Sequence, residues 1–289
     1  MSLLGSVRAW GRMVKFSHSV FALPFALSGA VLAAVESGIS GWQVFWIVVA
    51  MVGARNAAMG FNRLADQALD ARNPRTRDRV LPSGRLSRNA VWLFTALLAV
   101  LFVFASFQLS TLCGLLSPVA LLIVFGYSYT KRFTWASHVW LGLALAIAPV
   151  GGWLAVSGSF SAVAWLLGLA VLCWVAGFDV IYACQDVGFD RTAGLHSLPA
   201  RFGLRGALVG ARLLHLATLA ALAAVGLLAG LHPIYWAGWA LIAGTLAWEH
   251  RSVRADDLSR IGVAFFNMNG IISVIYLGTV LVAVLFPRL

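Results

Sequence analysis

The chain has 289 residues, of which 61% are hydrophobic and only 11% charged, with a net charge of +11. Soluble proteins run at roughly half apolar and a quarter charged, and a soluble fold of this size would need far more polar surface to cover its core. A soluble enzyme, a disordered chain and a disulfide scaffold are thereby excluded. The fold class that remains is all-α: a polytopic membrane protein made of helices of about 20 apolar residues each.

Arg8, Arg12 and Lys15 precede the first apolar run. No small-residue cleavage site follows that run, so the first helix reads as retained and not as a signal peptide. Apolar runs then stand at about 17–35, 42–61, 90–107, 112–129, 137–156, 162–183, 207–230, 233–249 and 262–286. Each is predicted to be a spanning helix, giving two four-helix halves plus one in a single transmembrane domain over 1–289. The weakest break is Gln108-Leu109-Ser110-Thr111. Pro24, Pro118 and Pro149 fall within runs, which membrane helices tolerate. Trp10, Trp42, Trp92, Trp153 and Trp236 lie near run ends and read as interfacial belt residues. Cys113, Cys173 and Cys184 lie in apolar stretches without paired spacing and indicate neither a disulfide nor a metal site.

The basic residues test this count. The N-terminal three are joined by Arg72, Arg75, Arg77, Arg79, Arg85 and Arg88 after the second run, and by Lys131 and Arg132 after the fourth. Arg191, Arg201, Arg205 and Arg212 follow the sixth run, and Arg251, Arg254 and Arg260 the eighth. These are 18 of the 21 Lys and Arg; the four opposite loops have none, and Arg288 alone lies on that side. The positive-inside rule puts the N-terminus and the long loops in the cytoplasm, and a bacterial inner membrane is the expected location. The loop after the second run is denser in arginine than orientation requires, and such density also suits a phosphate or an anionic headgroup. No nucleic-acid partner is expected.

Five of the ten acidic residues form two groups. Asn62, Asp66 and Asp70 follow in steps of four and make one helical stripe about 12 Å long. Asp179, Tyr182, Asp186 and Asp190 follow in steps of three, four and four and are predicted to share a stripe of the sixth helix. Stacked carboxylates repel one another, and one near the bilayer core costs about 2.5–3.5 kcal/mol on insertion scales. A divalent cation offsets this, and hard oxygen ligands favour Mg²⁺. Mg²⁺ is usually held by one or two carboxylates plus substrate phosphates, so the arginines beside both stripes point to a diphosphate whose other end is a lipid. Structural pairing of Asp66 and Asp70 with Arg63 and the loop arginines is the plainer alternative, and it is harder to sustain for two groups at matching depths.

The residues NRLADQALDARNPRTRDRVLPSGRLS and DVIYACQDVGFDR, with KFSHSVFALPFAL in the first helix and YSYTKRFTWASH after the fourth, resemble the UbiA superfamily of intramembrane aromatic prenyltransferases over essentially the whole chain. FDVIYACQDVGFDRTAGLHSLPARFG and FFNMNGIISVIY resemble its 4-hydroxybenzoate polyprenyltransferase-like branch. That branch includes the menaquinone enzymes of the futalosine route, which act on a dihydroxynaphthoate. Val80 departs from a usual proline but leaves Arg79 and Pro82 in place. The resemblance implies two Mg²⁺ ions bridging a polyprenyl diphosphate. It implies Asn62, Asp66 and Asp70 as one metal and diphosphate motif and Asp179, Asp186 and Asp190 as the other. It implies Lys131 on the diphosphate, with Arg75, Arg79 and Arg132 as helpers and Tyr182 orienting a phosphate or shielding a cation.

The chemistry these residue types support is ionisation of an allylic diphosphate in a dry cavity, followed by attack of a phenol ring through carbon. Asp179, deepest of its group, is the candidate for removing the ring proton. Lys15 reads equally as a contact to the acceptor's carboxylate or as an orientation charge; His138 and His196 are further candidates for contact with the acceptor. The rival acceptors are haem, a chlorophyll precursor and a glycerol-phosphate lipid. A cation transporter would place carboxylates near the midplane in inverted halves, and a phosphatidyl-alcohol transferase would carry D-G-x-x-A-R, a pattern missing from this sequence.

Overall fold

The computed structural model describes residues 3–14, 22–259, 261–263 and 268–286. Lys15 and His18, with most of the KFSHSVFALPFAL segment's first half, lie outside the described residues. The helices are α1 (Leu3–Val14), α2 (Leu23–Ser37), α3 (Gly41–Arg72), α4 (Arg88–Leu109), α5 (Thr111–Thr130), α6 (Ser137–Ser157), α7 (Ala162–Ala183), α8 (Val187–Thr192), α9 (Leu198–Leu228), α10 (Ile234–Ser252), the single turn α11 (Ile261–Val263) and α12 (Asn269–Leu285). Among the described residues nine of them have 15 or more residues, one overlapping each apolar run; residues 17–21 of the first run and 264–267 of the last lie outside the described residues. Six (α3 to α7, and α9) are long and apolar enough to cross a membrane by length and composition.

Their starts follow from short polar residues between apolar runs. Ser40 accepts the Gln43 N–H while the Gln43 side chain accepts the Ser40 N–H, a complete capping box opening α3. Ser87, Ser110, Ser161 and Ser197 cap α4, α5, α7 and α9 in the same way through their hydroxyl oxygens. The Ser110 cap explains how so short a connection separates α4 from α5.

Three boundaries differ from the sequence reading. The charged N-terminal segment forms α1, whose Ala9 and Met13 pack on Leu64, Val80, Leu81 and Val91. α9 opens with a short helical segment from Leu198 that lies outside the expected run; Gly203, at φ +72° and ψ 171°, is not helical and interrupts it, so the long part of α9 begins just after Gly203, close to the expected 207. The stripe expected over Asp179, Tyr182, Asp186 and Asp190 is not one unbroken helix. α7 ends at Ala183, a 3₁₀ turn covers Cys184–Asp186, and α8 carries Asp190. The tighter turn changes the angular step per residue, so side chains four apart across it no longer stack as on an α-helix.

The helices divide into a packed group and a hollow one. Phe25 and Leu32 of α2, Trp174 and Phe178 of α7, Leu222 of α9, Tyr235 of α10 and Tyr276 of α12 share the main apolar core. Within residues 162–192, 72% of the most apolar window is buried, against 17% in α5, so α7 is the central post. α12 packs against both α2 and α10. Two polar tips in this core reach helix carbonyls, Tyr235 donating to Leu222 O at 2.8 Å and Trp239 to Leu219 O at 2.9 Å, whereas the buried Trp174 Nε1 has no hydrogen-bond partner among the described residues. Outward-facing Val100, Leu122, Leu227 and Leu285 are each more than three-fifths exposed, a surface suited to lipid and not to water.

Without a hydrophobic drive between helices in lipid, close approach at small residues holds them together. The seam between α2 and α6 is of this kind. A Cβ on Gly29 would stand 2.1 Å from Pro149 O, and one on Gly152 would stand 2.0 Å from Ala26 O. Gly151, one residue away, has nothing within 4 Å of such a Cβ. Gly152→Ala is therefore expected to destabilise the detergent-solubilised protein by about 1–3 kcal/mol through forced separation of the two helices. Gly151→Ala is expected to be neutral or slightly stabilising. Thermal unfolding of the two variants checks the pair, and equal melting temperatures would contradict the seam.

Candidate active site

A cavity of about 930 Å³ is walled by α2 to α7 and by the segments that follow α3, α5 and α8. Its deeper walls are apolar, with Ala26, Met51, Phe102, Leu116 and Leu145 among them. Its loop end carries both acidic groups: Asn62, Asp66 and Asp70 from α3, and Asp179, Tyr182, Asp186 and Asp190 from α7 to α8. Segments more than a hundred residues apart in sequence thus line one chamber.

Each carboxylate has a defined partner. Asp66, 3% exposed, takes Lys131 Nζ on Oδ2 at 2.6 Å, and Asn62 Nδ2 donates to the same oxygen at 3.2 Å. Arg132 Nη2 stands 3.7 Å from Asp66 Oδ1 and also donates to the Ala65 carbonyl. Asp70 accepts Arg79 Nη1 on both oxygens, at 2.7 and 2.9 Å, and has Arg63 Nη1 at 4.0 Å. Asp186 is gripped by Arg75 through both Nε, at 2.9 Å, and Nη2, while Arg75 Nη1 donates to the Tyr182 hydroxyl at 2.8 Å. The Arg75 guanidinium also lies over the Tyr182 ring, 5.1 Å from its centroid. Burial works against charge on Arg75, but its bonds to Asp186 outweigh that and hold it above its ordinary range.

Asn73, which caps the end of α3, donates to Asp186 Oδ1 at 3.2 Å and accepts the Arg75 N–H at 2.9 Å. The end of α3 is therefore tied directly to the end of α7. Asp190 accepts the Ser197 hydroxyl at 2.8 Å, and the His196 N–H donates to Lys131 O at 2.7 Å. These bonds fix the turn bearing Lys131 against the segment that leads into α9.

Asp179 is held differently from the others. Its Oδ2 lies 2.7 Å from His138 Nδ1 on α6. The Leu198 N–H, at the start of α9, donates to His138 Nε2 at 3.2 Å. With Nε2 occupied as an acceptor, the ring proton of a neutral imidazole sits on Nδ1 and is donated to Asp179. The sequence offers His138 as a contact to an acceptor or as a structural histidine, and its ring is turned to Asp179. His196 lines the same cavity, as does Arg55. Asn73, Ser197 and Arg55 were missed in the sequence reading. Asn73 had one signal, an asparagine directly before Pro74 at the end of a helical stripe, and Arg55 had another, a charge inside the apolar run 42–61, whereas Ser197 had none beyond its residue type.

Oxygen donors dominate the acidic end, which is the donor chemistry of Mg²⁺. Asp66 Oδ1 is buried and accepts no hydrogen bond among the described residues, so one ligand position there stays open. No group of three or more His, Cys, Asp and Glu is close enough to hold a metal by itself among the described residues. The predicted ligands Asp66, Asp70 and Asp186 are instead paired with Lys131, Arg79 and Arg75, so the protein by itself supplies only separate carboxylates, and Mg²⁺ is a metal that commonly takes only one or two of these.

Comparison with known proteins places the chain in a family. The profile described as the UbiA prenyltransferase family matches residues 22–271. A 4-hydroxybenzoate octaprenyltransferase of Xanthomonas campestris pv. campestris is 34% identical over 238 residues, covering 82% of this chain and 78% of that protein. A 4-hydroxybenzoate octaprenyltransferase of Nitrosospira multiformis is 33% identical over 234 residues, 81% of this chain and 80% of that protein. Among solved structures, the apo form of a UbiA homologue from Aeropyrum pernix K1 superposes with a TM-score of 0.84 at 34% identity, covering 92% of this chain and 97% of that one. A UbiA homologue from Archaeoglobus fulgidus, solved with GPP and Mg²⁺, has the same fold, with a TM-score of 0.77 at 20% identity over 96% of this chain and 100% of that one. With most of its length inside the family profile and a third of its aligned residues shared with two such enzymes, the chain belongs to the UbiA prenyltransferase family.

Proposed function

We propose that this prenyltransferase moves a polyprenyl group from a polyprenyl diphosphate to a ring carbon of a hydroxylated aromatic acid, 4-hydroxybenzoate or a dihydroxynaphthoate, in quinone biosynthesis. The observation that carries the reading is the meeting of two acidic groups, with their arginines and lysine, at one end of a single apolar cavity. The names of the curated relatives support the aromatic acid as acceptor.

In this reading Asn62, Asp66, Asp70, Asp186 and Asp190 hold Mg²⁺, with Asp179 as a further oxygen donor. Bound Mg²⁺ supplies charge neutralisation to the departing diphosphate. Lys131, Arg75 and Arg79 turn from their carboxylates to the diphosphate oxygens and stabilise the same developing charge, with Arg132 beside them. Tyr182, already bonded to Arg75, keeps that guanidinium in place and presents a ring face to an allylic cation. The apolar depth of the cavity excludes water that would quench the cation. Asp179, aimed by the His138 Nδ1–H, takes the ring proton after the new carbon–carbon bond forms. Lys15 remains a candidate for the acceptor's carboxylate. The whole chain acts as one domain with nine crossings in the bacterial inner membrane, with the basic loops and the mouth of the cavity on the cytoplasmic side.

Purified protein given geranyl diphosphate, Mg²⁺ and a panel of hydroxybenzoates and hydroxynaphthoates is expected to yield a ring-prenylated acid by mass spectrometry. Absence of product with every acceptor overturns the function. Asp66→Asn and Asp186→Asn are each expected to lower kcat by about 10²-fold or more while the protein still inserts in the membrane, with some loss of melting temperature because each change leaves a cation without its carboxylate. Unchanged turnover in both would remove them from the metal site. Chelation of divalent ions should stop the reaction, and added Mg²⁺ should restore it. For orientation, Ser83→Cys on the exposed loop is expected to react with an impermeant maleimide only when the cytoplasmic face is opened; labelling of intact cells would reverse the topology.

A further inference from the structure

A second cavity, of about 250 Å³, adjoins the first and shares Arg63, Arg75 and Arg79 with it. Arg12 of α1 and Arg85 of the 73–87 loop complete its wall, with Asp78 as the one acidic residue lining it. Five guanidinium groups thus face one carboxylate in a space several times the roughly 30 Å³ that a water molecule occupies in the liquid. Arg75 and Arg79 are engaged with Asp186 and Asp70 on the side of the larger cavity. Arg12 and Arg85 make no ion pair among the described residues. Arg63 is 5% exposed, has its nearest carboxylate oxygen at 4.0 Å and donates no hydrogen bond among the described residues.

Orientation in the membrane asks for basic residues in loops, but it does not ask for a guanidinium buried in a helix behind them. Nor is the wall a loose surface. Val80 and Leu81 of the loop are buried against Met13 of α1 and Leu64 of α3, which keeps the backbone segments bearing Arg12, Arg63 and the loop arginines together, while the Arg12 and Arg85 side chains are exposed. The ligand that such a wall recognises is small, strongly anionic and rich in oxygen acceptors, because guanidinium forks pair two donors with two phosphate oxygens. It offers one carboxylate and no cluster of oxygen donors for a metal, and it has no apolar floor for a prenyl chain.

Building on the function proposed above, we propose that this arginine cavity receives the inorganic pyrophosphate released by prenyl transfer. It serves as a transit site between the carboxylates and the loop face. Arg63, Arg75 and Arg79 border both spaces, so the leaving diphosphate is passed from one set of donors to the next without a bare intermediate position. A pyrophosphate in the transit site leaves the larger cavity able to take up the next prenyl diphosphate.

The test is product inhibition by inorganic pyrophosphate, with geranyl diphosphate varied at fixed 4-hydroxybenzoate. The wild type is expected to show two effects, a raised KM from pyrophosphate in the main site and a lowered kcat from pyrophosphate in the transit site. In Arg12→Gln/Arg85→Gln the kcat effect should need about tenfold or more pyrophosphate, with the KM effect unchanged. Inhibition of the wild type through KM alone, or an undiminished kcat effect in the variant, overturns the proposal. Arg85→Gln alone, a change on the exposed loop, repeats the measurement if the double variant does not fold. If the wild type transfers no prenyl group to any acceptor, the function fails separately. Calorimetric titration of pyrophosphate into wild type and variant without Mg²⁺ then judges the cavity: weaker binding in the variant supports it and equal binding overturns it.

Discussion

Asp66, Asp70 and Asp186 are largely buried at the loop end of a membrane bundle, and each is neutralised by a cation that comes from a different segment of the chain. A buried carboxylate left without its partner costs several kcal/mol, so these pairings dictate where the loops must lie. Arg75 and Arg79 draw the 73–87 loop over the cavity, and Lys131 draws in the turn after α5. The loop is wound in successive turns, with Ser83 N–H donating to Arg79 O and Leu86 N–H to Val80 O, and its apolar residues rest on α1. The charges that shape the mouth are the same charges suited to a diphosphate. Order in the loops and readiness for an anionic ligand therefore have one origin.

Around that mouth the molecule separates support from space. The helices α2, α7, α9, α10 and α12 bury their large side chains against one another, while α3 to α6 stand around the cavity. Glycine seams make this possible. Where α6 meets α7, a Cβ on Gly142 would stand 2.3 Å from Leu172 O, so backbone touches backbone and little room is spent on side chains. α7 belongs to both parts. Its Trp174 and Phe178 anchor the core, and one residue later Asp179 faces the cavity, which gives the acidic group a rigid base.

Much of this was legible in the amino-acid order because the physical signals were strong. Long apolar runs, arginines confined to alternate loops and acids in steps of four each leave a pattern in one dimension. The first acidic group lies on the unbroken helix α3 that its spacing demanded. The second group shows what spacing does not carry. The 3₁₀ turn at Cys184–Asp186 follows from tertiary demands, including the grip of Arg75 and Asn73 on Asp186, and no local residue announces it. His138 is a similar case. Its orientation depends on the Leu198 N–H sixty residues away, and a lone histidine near a helix start carries no trace of such a partner. α1 was hidden for another reason: a short segment with Arg8 and Arg12 reads as a flank, although its apolar residues recur at helical period, and Ala9 and Met13 pack on Leu64 and Val80.

The position of α12 sets an order of events for assembly. Tyr276 stacks against Phe25 of α2, with ring centroids 5.2 Å apart, and Val280 and Ala283 complete the same apolar core. The earliest and latest of the long helices are thus immediate neighbours, so the central core stays open toward lipid while everything between them is being synthesised. Ribosomal elongation must deliver residues 269–285 before the bundle can close, and until then the nascent protein depends on the insertion machinery or on lipid to cover the exposed flank of α2.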